Sequence, residues 1–159
     1  MGTRSRIAVM HGEVCKSVYC HWDGYLQYNG SLLQKHYDSA KANNLVALGD
    51  LSSLKPNIGE AHPFGYHGSD ISKEDYEKQF GEMCTFYARD RGETGTEFKT
   101  AHSFEEFLEQ VANCCGEYYY VMKDGVWYCG TLHEREEGLY RRLVSLKEAL
   151  EAFTEEEVA

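Results

Sequence analysis

A thiol, an imidazole, an indole and a carboxylate stand side by side at Cys20-His21-Trp22-Asp23, with Tyr19 before them and Gly24-Tyr25 after. If this stretch is extended, side-chain alternation puts Cys20 and Trp22 on one face and Tyr19 and His21 on the other. Cys20 and His21 then cannot act as a nucleophile–base pair. His21 and Asp23 share a face, which is what general acid–base work on one reacting atom needs. Arg4 and Arg6 join the group if the first two strands form a hairpin, because its start then lies beside its end. Guanidinium groups next to aromatic rings and a hydrogen-bonding acid suit a phosphate- or nucleotide-type ligand. The candidate ligand-binding residues are therefore Arg4, Arg6, His21, Trp22, Asp23 and Tyr25, with His21 and Asp23 catalytic if the chain is an enzyme. The plainer reading of the same residues is a core Cys and Trp, an edge His, a turn-forming Asp-Gly and a surface Arg–Asp pair of little energetic worth.

Other chemistry is less concentrated. Arg89 and Arg91 offer a second phosphate contact. Cys20, His21, His62, His67, Cys114, Cys115, Cys129 and His133 are of metal-ligating type, but no C-x-x-C or H-E-x-x-H spacing groups them. The expectation is no bound metal and no cofactor. No G-x-S-x-G elbow, Walker loop or G-x-G-x-x-G turn occurs. Twelve tyrosines, three of them consecutive at 118–120, fit either a binding surface or a half-buried sheet.

The elements that must position these residues read as follows. Ile7–Met10 and Val14–Trp22 form strands around His11-Gly12-Glu13. Ser31–Leu48 has helical spacing with a break expected at Asn43-Asn44, and Gly49 is a left-handed helix end. Ser52–Ser69 is the longest irregular stretch, and long loops in compact domains carry function. Ser72, Ser103 and Ser145 each precede an acid by three residues and so cap helices. Met83–Arg89 and Thr96–Ala101 read as a second hairpin. Tyr118–Met122 and Val126–Cys129 around Asp124-Gly125 read as a third. The sum is an α+β domain over 1–154, with about six antiparallel strands in hairpins, four or five helices, and a frayed acidic tail at 155–159.

Composition narrows the class further. The chain has 159 residues, 42% hydrophobic and 26% charged, enough for one ordinary core without a staple. Its net charge of −10 opposes a long contact with a nucleic-acid backbone. No apolar run reaches membrane-spanning length, no signal segment opens the chain, and Arg6 breaks the myristoylation pattern. A cytoplasmic protein with six reduced thiols is expected.

With Gly2-Thr3-Arg4-Ser5-Arg6-Ile7, Tyr19–Tyr25, His36-Tyr37 and Gly49–Leu54 in view, the chain resembles a group of small proteins encoded mainly by bacteriophages. The resemblance covers mostly the first third and transfers no catalytic residue. It implies a phage accessory protein in the host cytoplasm that binds and neutralises a host component. Two functions follow as expectations. One is a non-catalytic binder that counters host defence, by sequestering a small nucleotide-type ligand or blocking a host protein. The other is a small metal- or His/Asp-dependent hydrolase or nuclease. Exposed strand edges would also allow a homo-oligomer.

Overall fold

The computed structural model describes residues 3–67 and 70–158, with side chains in the last helix described as far as Ala152. Gly2 of the amino-terminal motif, Gly68-Ser69 of the long loop and Ala159 of the acidic tail lie outside the described residues, as do the side chains of the rest of that tail. The described residues form one mixed sheet of eight strands packed between helices. In chain order these are β1 (Ser5–His11), β2 (Val14–Cys20), a π-helical turn (Leu26–Gly30), α1 (Ser31–His36), α2 (Ser39–Ala47), β3 (Leu51–Ser53), α3 (Lys73–Phe80), β4 (Thr85–Phe86), α4 (Tyr87–Arg91), β5 (Lys99–Ala101), α5 (Phe104–Asn113), β6 (Tyr118–Lys123), β7 (Val126–Thr131), β8 (Val144–Ser145) and α6 (Leu146–Val158).

The strands run in the order β4-β3-β2-β1-β6-β7-β8, with β5 paired to the first half of β2. β1 lies at the centre and is buried on both faces from Ser5 to Met10. Ile7 and Val9 face a core built with Leu33, Tyr37, Leu45, Val46 and Leu146 from α1, α2 and α6. Ala8 and Met10 face a smaller core with Phe107, Leu108 and Val111 of α5.

Two expected hairpins form, β1–β2 and β6–β7, the latter through Asp124 (φ 52°) and Gly125 (φ 78°), the left-handed pair that a two-residue turn of this type requires. The all-antiparallel sheet needs correction, because β1 pairs with β6 in parallel, from Ser5↔Tyr118 to Met10↔Lys123, and β3 joins the end of β2 in parallel at Cys20↔Leu51. The expected middle hairpin does not form either. Asp90 turns back to accept from the Phe86 amide at 2.8 Å, so the chain coils into α4 after two strand residues, and β5 pairs with β2 instead.

The break in the first helical stretch falls at Tyr37-Asp38. Asp38 caps α2 by accepting from the Lys41 amide at 2.8 Å, and the Trp127 indole clamps the Tyr37 carbonyl at 2.9 Å. Asn43 sits inside α2 because its side-chain amide donates to the Ser39 carbonyl, satisfying itself one turn back. Ser72, Ser103 and Ser145 all cap as their spacing predicts, each accepting from the amide three residues on. No helix among the described residues is long and apolar enough to cross a membrane.

Candidate functional site

β2 ends at Cys20, but the chain keeps to the sheet for two more residues. The His21 amide donates to the Leu51 carbonyl at 3.1 Å and the Trp22 amide to the Ser52 carbonyl at 3.0 Å. Asp23 then takes a left-handed conformation (φ 56°) and reverses the alternation. Gly24 packs so tightly that a Cβ would press on Ser5 and the Thr3 carbonyl, and Tyr120 donates to its carbonyl at 2.6 Å. Beneath the turn, the fully buried Asn29 amide reaches the Trp22 carbonyl at 3.3 Å and the Cys20 sulfur at 3.4 Å. The segment from Trp22 to Tyr25 is thus rigidly mounted, with Trp22 44% and Tyr25 37% exposed.

This mounting splits the sequence cluster into two groups. On the α5 side of the sheet lie Arg4, Tyr19 and His21. The Tyr19 hydroxyl meets His21 Nδ1 at 2.6 Å, and Trp22 packs edge-on against the imidazole with centroids 4.6 Å apart. Burial lowers the His21 pKa, and the neighbouring Arg4 guanidinium lowers it further. Burial pushes Tyr19 up to about 12, against the pull of Arg4. The phenol therefore keeps its proton. If Nε2 carries the ring proton the phenol donates to Nδ1, and if Nδ1 carries it the phenol oxygen accepts.

Because the folded state prefers neutral His21, that preference contributes stability above the unfolded pKa of about 6.5, and the contribution is lost as pH falls through the lower folded value. Urea unfolding of the wild-type chain at pH 7.5 and pH 5.5 is expected to show a larger acid loss than in His21→Gln. Equal losses would show that burial and Arg4 together do not hold His21 neutral.

Arg6 does not join this group. It is 2% exposed, and its fork is taken up by Ser17, with Nε donating to Oγ at 2.8 Å and Nη2 to the carbonyl at 2.9 Å. Two residues further along β1 than Arg4, it lies opposite Tyr19, inside the sheet. Of the two arginines, only Arg4 reaches the imidazole. The Asp23 carboxylate acts electrostatically on both Lys55 and Cys20. Among the described residues no hydrogen bond or ion pair joins His21 and Asp23 directly, and the positive φ at Asp23 ends the strand alternation on which their shared face was expected.

The second group contains a residue that sequence reasoning missed. Lys55 Nζ donates to the Tyr28 hydroxyl at 3.0 Å, and the Tyr28 ring lies 6.2 Å from that of Tyr25. Burial pulls the Lys55 pKa down, but the Tyr28 bond and the nearby Asp23 and Glu82 carboxylates outweigh it and leave the value raised. The ammonium is thus a fixed, half-buried cation. Lys55, Gly81 and Glu82 line both of two neighbouring cavities, of about 420 and 380 Å³. Tyr66, Tyr76 and Phe80 wall the first, and Tyr28, Lys35 and His36 the second. The sequence signal was the long irregular stretch itself, in which Lys55 is the single basic residue apart from histidine.

That stretch is anchored by residues that looked like ligands. Asp90 accepts from the His62 and Phe86 amides and from Arg89. Arg89 also donates to the Ile58, Gly59 and Cys84 carbonyls. His62, 7% exposed, has Nδ1 facing the Pro63 carbonyl at 2.7 Å and Nε2 facing that of Cys84 at 2.9 Å. Arg91 lies over Phe64 and Tyr87 and pairs with Glu93. Arg89, Arg91 and His62 are therefore committed to fixing the loop. Among the described residues no three His, Cys, Asp or Glu side chains gather as metal ligands.

No family model, curated protein or solved structure matches this chain. Function therefore has to come from the side chains. The described residues bring together a fixed cation, aromatic walls and two cavities at Lys55, with the Tyr19–His21 pair and Arg4 as a separate group.

Proposed function

We propose that the chain is a non-catalytic binding domain for a small nucleotide-type ligand, with Lys55 as its anion anchor and the turn from Trp22 to Tyr25 at its rim. One observation carries the reading: a half-buried ammonium shared by two cavities with aromatic walls. A phosphate gains most from a cation held in place and partly out of water. A base gains from ring faces beside it, and each cavity falls within the volume range of small-molecule sites. Similarity to the phage-encoded group supports an accessory role in the host cytoplasm, where holding such a ligand intact would blunt a host response.

The test is a thermal-shift screen of the full chain with mono-, di- and cyclic nucleotides, followed by chromatography of the recovered ligand. At least one is expected to raise the melting temperature and to be recovered unchanged. Lys55→Gln is expected to weaken it by about tenfold or more, the worth of one charge-assisted contact. No shift with any nucleotide would end the proposal, and a cleaved ligand would make the chain an enzyme.

A further inference from the structure

A third cavity, of about 580 Å³, opens beside the π-helical turn and shares Gln27 with the second of the two cavities at Lys55. Leu26, Leu139, Val144 and Ala149 line it and pack on the main core, which makes its floor apolar and fixed. Its charged lining is unbalanced: Glu136, Glu137 and Glu148 face a single Arg135. One of these acids is built in place. The Glu136 amide donates to the His133 carbonyl at 3.1 Å, and the Glu136 carbonyl accepts from Leu139 at 2.9 Å and Tyr140 at 2.8 Å. The Tyr118 hydroxyl donates to Oε1 of this exposed carboxylate at 3.0 Å. Burial first, and the Glu136 charge second, push Tyr118 up to about 12, so the phenol stays a donor to that carboxylate.

A carboxylate held by Tyr118 above an aliphatic floor is complementary to a cation on a hydrocarbon stem. A simple metal ion would gain nothing from Leu26, Leu139 and Val144, and an anion would meet three carboxylates. The amino end of α6 also lines the cavity and would favour an anion, but Glu148 sits in its first turn and offsets that dipole. We propose that this cavity binds a small organic cation, an alkyl ammonium or alkyl guanidinium. The stem lies along Leu26, Leu139, Val144 and Ala149, and the charged end meets Glu136. Lys55 is not among the residues lining this cavity.

Isothermal titration of the full chain at low salt tests it, with spermidine and agmatine as probes and a blocked arginine peptide as a third arm. Saturable binding of spermidine or agmatine is expected. Binding of the peptide alone would overturn the small-molecule assignment and assign the cavity to a partner's basic side chain. Glu136→Gln is expected to cost about tenfold in affinity, and Tyr118→Phe several-fold, with the fold unchanged by circular dichroism. Arg135→Gln, which removes the competing cation, is expected to tighten binding, and Lys55→Gln to leave it unchanged. No saturable heat with any of the three probes, or equal affinity for wild type and Glu136→Gln, would overturn the proposal.

Discussion

Asp90→Ala is expected to lower the unfolding free energy by about 3–5 kcal/mol, the range seen when one partner of a buried ion pair is removed. The Asp90 side chain is 0% exposed and that of Arg89 14%. Removing the carboxylate strands the Arg89 charge and leaves the His62 and Phe86 amides without their acceptor. Three backbone carbonyls would still hold the guanidinium, so the lower half of the range is favoured. For a chain of this length that corresponds to a fall of roughly 10 °C in melting temperature. Glu93→Gln, which breaks the exposed pair with Arg91, is the control, and a change within about 0.5 kcal/mol is expected there. The two variants should be compared by urea unfolding followed by tryptophan fluorescence. If they differ by less than about 1 kcal/mol, Asp90 does not anchor the loop.

Gly130→Ala is the second large effect. Gly130 stands in β7 opposite Tyr119, and an added Cβ would overlap both the Arg142 carbonyl oxygen and the Tyr119 hydroxyl. Those two groups share a 2.5 Å hydrogen bond, and Tyr119 is fully buried against Phe104 and Phe107. The substitution must therefore move backbone or break the bond. Overpacking costs about 1–3 kcal/mol and an orphaned buried hydroxyl about as much again, so a loss of about 3–5 kcal/mol is expected. Tyr119→Phe removes the clashing hydroxyl, and with it the bond that can be orphaned, but keeps the ring carbon that also crowds the added Cβ. The double variant should therefore lose less than the sum of the single losses. Strict additivity would show that the hydroxyl is not what resists the extra carbon. Gly138→Ala, with nothing within 4 Å of its added carbon, should be close to neutral.

The local features of the fold were legible where one residue type decides the outcome. Three serines cap helices because each has an amide within reach three residues on, and Asp124-Gly125 turns because both residues tolerate positive φ. Strand partners were not legible where the pairing is long-range. Nothing near Ile7 announces Tyr120 as its parallel neighbour, and nothing in Thr96–Ala101 announces β2 rather than the preceding segment. The Met83–Arg89 stretch shows a further limit. Its β-branched and aromatic residues favour a strand, but Asp90, read as loop, captures the Phe86 amide and starts a helix.

The candidate site was half legible for the same reason. Hairpin geometry correctly brings Arg4 to His21, since both depend on the register of adjacent strands. Alternation fails at Asp23, where one positive φ sends the carboxylate toward Lys55. It also could not say that Arg6 is sealed in by Ser17 while Arg4 is not. For Lys55 the long irregular stretch was the single signal, because its partners, Asp23 and Tyr28 on one side and Glu82 on the other, lie far from it along the chain.

The central position of β1 has a consequence for how the chain is made. Its parallel partner, β6, begins at Tyr118, so the first strand is synthesised roughly 100 residues before half of its hydrogen bonds can form. At ribosomal speeds of about 5–20 residues per second, the apolar edge Ile7-Ala8-Val9-Met10 stands open for about 5–20 s. During that interval the nascent hairpin offers an unpaired template of the kind that neighbouring chains join. The growing polypeptide is therefore most vulnerable to self-association in mid-synthesis, and arrival of the last hairpin closes that window.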